Sequence, residues 1–192
     1  MINFTEIKPS ASEIKNIANI NTLKKIDMKT KTLIIGFLFG IMSLTVFSQT
    51  NAKTSFKYPK SVGYVNDFEK IFTKDQINEL NGIITKHEKK TTNEIAIVSI
   101  TSYKPYDTLF DYSLGLANAW GVGKKDKNNG IVIVFGKQIK QIRIQVGNGL
   151  QNKLSDKETK KIIENTIIPE FKKGEFYAGI KNGLIEIINE IN

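Results

Sequence analysis

A chain of 192 residues, 40% apolar and 24% charged, has the composition of an ordinary globular protein, with enough length for one buried core and a tail. It has no cysteine and one histidine, His87. That excludes disulfides, thiolate nucleophiles, cysteine zinc sites, anchoring through a lipid-modified N-terminal cysteine and any two-histidine metal site.

The formal charge of +9 comes almost wholly from lysine, since Arg143 is the sole arginine. The lysines are thinly spread, and arginine is the usual reader of base edges, so no nucleic-acid partner is expected.

At Met28 a new pattern begins, "MKTKTLIIGFLFGIMSLTVFSQT". Lys29 and Lys31 form a positive start, and Leu33 to Phe47 form an apolar run. Val46-Phe47-Ser48 makes a small-residue cleavage pattern before Gln49. Residues 28–48 therefore read as a secretory signal peptide, and the product as periplasmic or secreted. An uncleaved segment would instead anchor the chain to a membrane. Residues 1–27 read as a gene-model extension. The competing reading is an amphipathic segment carrying Ile14, Ile17, Leu23 and Ile26. Residues 49–60 are polar and patternless, as in a tether, and the domain proper is expected at 61–192.

Within the domain, "SVGYVNDFEKIF" is an extended lead-in. Thr73-x-x-Gln76 fits a capping box for a first helix fading near Thr91, with Ile77, Leu80 and Ile84 on its buried stripe and His87 on its surface. "NEIAIVSITSY" is a nearly all-apolar strand, of the kind covered on both faces. Asp107 is expected to cap the next helix, which would turn Phe110, Leu114 and Ala117 inward and end at Trp120 in the core. "GIVIVFG" is a second buried strand. "KQIRIQVG" alternates Ile142, Ile144 and Val146 with polar residues, as an edge strand with one wet face does. Ser155-x-x-Glu158 caps a helix expected to stop near Pro169, and a last amphipathic helix runs from about Glu175 to the end. This order predicts an α/β fold, a single three-layer α/β/α sandwich with a small mixed sheet.

The loop "GVGKKDKNNG" resists the usual motifs. A phosphate loop needs Ser or Thr after Gly-Lys and a helix following, whereas Lys125 and a strand are found. "GNGLQN" lacks the last glycine of a dinucleotide fingerprint. Asp126, Asn128 and Gly130 alternate as in an EF-hand, but Lys137 stands where the bidentate glutamate belongs. Hard oxygen donors remain, and Asp107 and Asp111 share a helical face. Taken singly, each of these residues also suits an ordinary cap, turn or solvated acid. On topology the glycine loop enters its strand from the end opposite Asp107, so joining them would require it to fold back.

The blocks "GYVNDFEKIFT", "DYSLGLANAWGVGKKDKNNGIVIVF", "IRIQVGNGLQNKLSD" and "IIPEFKKGEFYAGIKNGL" resemble, in order, the TPM domain family, whose name joins a thylakoid lumen protein, a photosystem repair protein and an acetylcholine-receptor modulator. The resemblance spans about Val62 to Ile188. It implies an exported α/β/α sandwich, often tied to a membrane. Some members bind calcium through acidic and amide loop residues, and a plant member is associated with acid phosphatase activity. Carried over by position, the metal candidates are Asp67, Asp107, Asp111, Asp126, Asn128 and Asn129. One departure is Gln151, where the family commonly has glutamate.

The function expected first is an exported accessory protein that binds Ca2+ and assists a membrane-associated complex. Its lysine excess would bias it toward an acidic partner or anionic membrane surface. The alternatives are a metal-assisted acid phosphatase, with Lys124, Lys125 and Arg143 as phosphate clamp, and an interaction scaffold without ligand.

Overall fold

The computed structural model describes residues 57–192; the expected signal peptide, the segment before it and most of the tether lie outside the described residues. Residues 95–98 and Gly130–Gly136 are apolar on both sides of the pleat, as strands covered by helices on two faces must be. Strand β1 (Val65–Asp67) leads through helix α1 (Lys74–Thr91) to β2 (Glu94–Ser99), and helix α2 (Leu109–Trp120) leads on to β3 (Gly130–Gly136) and β4 (Gln141–Val146). The sheet order is β1-β2-β3-β4, parallel for the first three strands and antiparallel for the β3–β4 hairpin.

Alternation sorts the side chains into two cores. Ile95, Ile97, Ile131, Ile133 and Phe135 face α1 and the C-terminal helices, while Ala96, Val98, Val132 and Val134 face Leu109, Tyr112 and Leu116 of α2. The protein is therefore a three-layer sandwich around a four-stranded mixed sheet. Among the described residues no helix is long and apolar enough to cross a membrane.

Both expected capping boxes are present. The Thr73 hydroxyl accepts from Gln76 N while Thr73 N donates to Gln76 Oε1, and Ser155 with Glu158 repeats the exchange at the start of α3 (Asp156–Ile162). Each reciprocal pair satisfies two donors the helix leaves orphaned.

The structure departs from expectation at six places. The lead-in is an edge strand: β1 pairs Val65 with Ile97 and Asp67 with Ser99, a ladder that only β2 can supply. The cap of α2 is Thr108, whose hydroxyl accepts from Asp111 N, one residue beyond the expected Asp107. The inward face of α2 is Leu109, Tyr112, Ser113 and Leu116, and Phe110 and Leu114 are exposed. Trp120 is half-buried, and its indole N–H donates to Pro59 O at 2.9 Å, fastening the end of the polar tether to the domain.

Pro169 does not stop its helix. α3 passes through a π turn at Ile163–Ile167 into α4 (Ile168–Lys173), with Pro169 just after the π turn, in the first turn of α4. Helix α5 (Phe176–Ile191) then closes the layer.

The sixth departure is His87, which is buried rather than on the surface, near Thr91 Oγ1 at 3.2 Å and Asn93 Nδ2 at 3.4 Å. Burial, with a smaller contribution from Lys90, holds its pKa below the ordinary 6.5. The native state thus keeps the ring neutral while the unfolded chain takes up a proton, so stability falls as pH drops below about 6.5. The urea midpoint is expected to decrease from about pH 7.5 to about pH 5.5, and to decrease less in His87→Leu. An equal decrease in the variant would show that other groups carry it.

Candidate functional site

The six candidate metal ligands separate into two groups at opposite ends of the sheet. Asp67 closes β1 at the carboxyl end of the parallel strands, level with Ser99 and Phe135. Asp107 and Asp111 belong to the connection leaving β2 and the first turn of α2, and so to the same end. Helix α2 then runs back, and Asp126, Asn128 and Asn129 precede Gly130, which pairs with Glu94 at the opening end. β3 spans seven residues, so the ends lie roughly 20 Å apart. The glycine loop does not fold back to meet Asp107.

At the carboxyl end Asp67 and Asp111 accept from neighbouring hydroxyl and backbone donors. Asp67 Oδ1 accepts from Ser99 Oγ at 2.5 Å and its Oδ2 from Phe72 N at 2.7 Å. Asp111 Oδ2 accepts from Thr108 Oγ1 at 2.5 Å. Both Asp107 and Asp111 sit at the positive pole of α2, which favours carboxylates and opposes a second cation. A cleft of about 650 Å³ at this end is bordered by Lys70, Lys137 and Lys140, with Phe176 and Tyr177. Glu69 closes one side of it by accepting from Lys137 N at 2.7 Å and Gln138 N at 3.2 Å.

At the opening end the loop is a fastener. Asn129 is 4% exposed; its Oδ1 accepts from Lys124 N at 2.9 Å, and its Nδ2 donates to Thr92 O at 2.9 Å and Asn93 Oδ1 at 3.1 Å. Glu94 accepts from Gly123 N at 2.7 Å and pairs with the Lys124 ammonium. Burial pushes the Glu94 carboxyl up, but Lys124 and the Gly123 N–H together bring it below the ordinary carboxylate range. That contribution to stability is present above the unfolded pKa and is lost on acidification.

Asn128 adopts φ 48°, and its carbonyl accepts from Gly149 N at 3.0 Å, so the "GNGL" turn is stitched to the "KNNG" turn. Asp126 is exposed. Thr92, Asn93 and Glu94 were not singled out by sequence, because hydrogen bonds at separations of about thirty residues leave no local pattern.

The six residues therefore do not fit one calcium cage, and among the described residues no three Asp, Glu, His or Cys groups converge on a common point. Asp126 and Asn128 lie in the loop that follows the C-terminal end of α2. The proposed phosphate clamp is likewise divided. Lys124 is held by Glu94, whereas Arg143 lies on β4, 4.9 Å over the Phe110 ring and 3.7 Å from Asp156.

A family model described as the TPM domain matches residues 65–190. The chain belongs to the TPM domain family. No curated relative matches it. Among solved structures, this TPM domain is similar to the N-terminal domain of a protein from P. gingivalis, with 28% identity, 66% of this chain and 80% of that one covered, and a TM-score of 0.61. The BA42 protein of Bizionia argentinensis, a psychrophilic bacterium, shares 22% identity over 65% of this chain and 83% of its own, with a TM-score of 0.56. A Corynebacterium glutamicum N-terminal domain, at 13% identity, covers 71% of this chain and 86% of its own with a TM-score of 0.53. The last two likenesses concern the fold alone.

The family's glycines have a structural use in this chain. A Cβ on Gly130 would strike the Val122 carbonyl, and one on Gly149 would strike the Lys127 carbonyl, so the two signature blocks touch backbone to backbone.

Proposed function

We propose that this TPM domain is an exported accessory protein that binds calcium weakly and assists a membrane-associated complex by contact rather than by chemistry. The observation that carries the calcium part is the position of Asp126 and Asn128 in an exposed loop directly after the negative end of α2. Oxygen donors suit a hard cation. One carboxylate among Lys124, Lys125 and Lys127 gives little net attraction, even with Lys124 paired to Glu94. The affinity is accordingly on the order of millimolar, at the weak end of extracellular calcium modules. Export rests on the signal-peptide pattern at residues 28–48, and contact with an acidic partner or anionic membrane surface on the lysine excess, a bias that salt would weaken.

The test is a calcium titration of the isotope-labelled protein followed by NMR, with magnesium alongside. Saturable shifts are expected from Asp126 to Gly130, absent at Asp67 and at Asp107 to Asp111, and lost in Asp126→Ala. No shift at millimolar calcium, or the same shift with magnesium, would remove calcium from the function.

A further inference from the structure

A cleft of about 240 Å³ opens between α2 and the β3–β4 hairpin, at the end of the sheet where the signature turns meet. Five residues on its border carry carboxamides: Asn118, Asn128, Gln145, Asn148 and Gln151. Its apolar border is aliphatic, from Leu114, Val122, Val132 and Val146. None of the bordering residues is charged, and none is aromatic. One polar atom there is unused: Gln145 Oε1 is buried without a hydrogen-bond partner. Buried acceptors of this kind are rare, because leaving one unpaired carries the full cost of removing it from water.

The lining selects by chemistry. A cation would want carboxylates, a phosphate would want lysine or arginine, and a sugar ring would gain from an aromatic plane; the border offers none of these. A carboxamide offers one acceptor and an N–H donor in a single plane, the same pair a peptide group presents. The aliphatic border beside them suits a small apolar side chain. Gln145 also lies on β4, the last strand of the sheet, so an extended segment reaching the cleft would run beside a strand edge.

We infer that this cleft is a recognition site for an uncharged, extended peptide segment, whose backbone amides pair with Gln145 and its neighbouring carboxamides while an aliphatic side chain enters between Leu114 and Val146. The inference does not depend on calcium. Asn128 borders both places, but failure of the calcium titration leaves the inference standing, because its test reads Gln145, Asn118, Asn148 and Gln151, which lie outside Asp126 to Gly130.

The probe is a doubly capped Ala-Val-Ala peptide, titrated into the isotope-labelled protein while the side-chain NH2 signals of Asn and Gln are followed. Saturable shifts are expected for Gln145, Asn118, Asn148 and Gln151, and binding at least tenfold weaker in Gln145→Leu. That variant removes an unpaired acceptor and is expected to fold with an unchanged or higher urea midpoint, so loss of binding would not be loss of structure. A capped Ala-Asp-Ala peptide and N-acetylglucosamine serve as controls and are expected to leave these signals in place. Absence of saturable shifts at millimolar peptide, equal binding by Gln145→Leu, or a response to the sugar instead would each overturn the inference.

Discussion

Alanine at Gly130 is expected to destabilise the protein by about 3 kcal/mol, or to prevent folding, from the addition of one methyl group. Gly130 opens β3, and its missing Cβ is the space in which the Val122 carbonyl and the Gly123 amide lie. Those neighbours are backbone and cannot rotate away as a flexible side chain would. Relief would require moving the start of β3, which is hydrogen-bonded to Gly147 N and aligned with Glu94.

The control is the same substitution at Gly82, in the exposed middle of α1, where an added Cβ meets nothing within 4 Å. There alanine should stabilise by about 0.5–1 kcal/mol, because glycine loses more conformational freedom on entering a helix. Urea midpoints of the two variants should therefore move in opposite directions. A Gly130→Ala midpoint close to that of the parent protein would mean that the loop is not packed as described.

Truncation of Asn129 to alanine is the second large effect, expected at about 2–4 kcal/mol. The side chain is enclosed and ties three partners on two segments: Lys124 N, Thr92 O and Asn93 Oδ1. Removing it leaves two acceptors and a donor in a place with little water. Asn129→Asp separates this structural role from a metal role. A carboxylate keeps the acceptor facing Lys124 N but sets lone pairs against Thr92 O and Asn93 Oδ1, so it too should destabilise the fold. A calcium ligand at this position would instead bind more tightly as a carboxylate. Exchange of the Lys124 amide, measured beside the urea midpoint, gives the local readout. A change below about 0.5 kcal/mol in Asn129→Ala would refute the fastening role.

Much of the architecture was legible because its causes are local. The capping boxes at Thr73–Gln76 and Ser155–Glu158 are complete within four residues, and the β-branched runs of β2 and β3 cannot satisfy an amphipathic helix. The hairpin into β4 follows from the alternation of Ile142, Ile144 and Val146.

Other features had distant causes. Three residues of β1 carry no strand pattern of their own and become a strand because β2 offers its edge. The inward face of α2 is set by which residues meet Val132 and Val134 across the layer, and that turned Leu109 and Tyr112 inward in place of Phe110 and Leu114. His87 is buried against the end of its own helix and Asn93; its spacing continues the stripe of Leu80 and Ile84, and only its polar side chain had suggested the surface.

The candidate site divided along the same line. Sequence by itself determined the membership in a TPM-type sandwich, the supply of oxygen donors and the absence of cysteine chemistry, since these depend on composition and on contiguous motifs. Only the tertiary structure decided where those donors stand. A helix of twelve residues carries the chain from Asp107 and Asp111 back along the sheet before Asp126 appears, so residues close in sequence end up at opposite ends of the strands. The same chain path brings Gln145 and Gln151 beside Asn118 and Asn128, because antiparallel pairing of β4 with β3 returns it to the glycine loop and builds a neutral cleft from segments that carry no common motif.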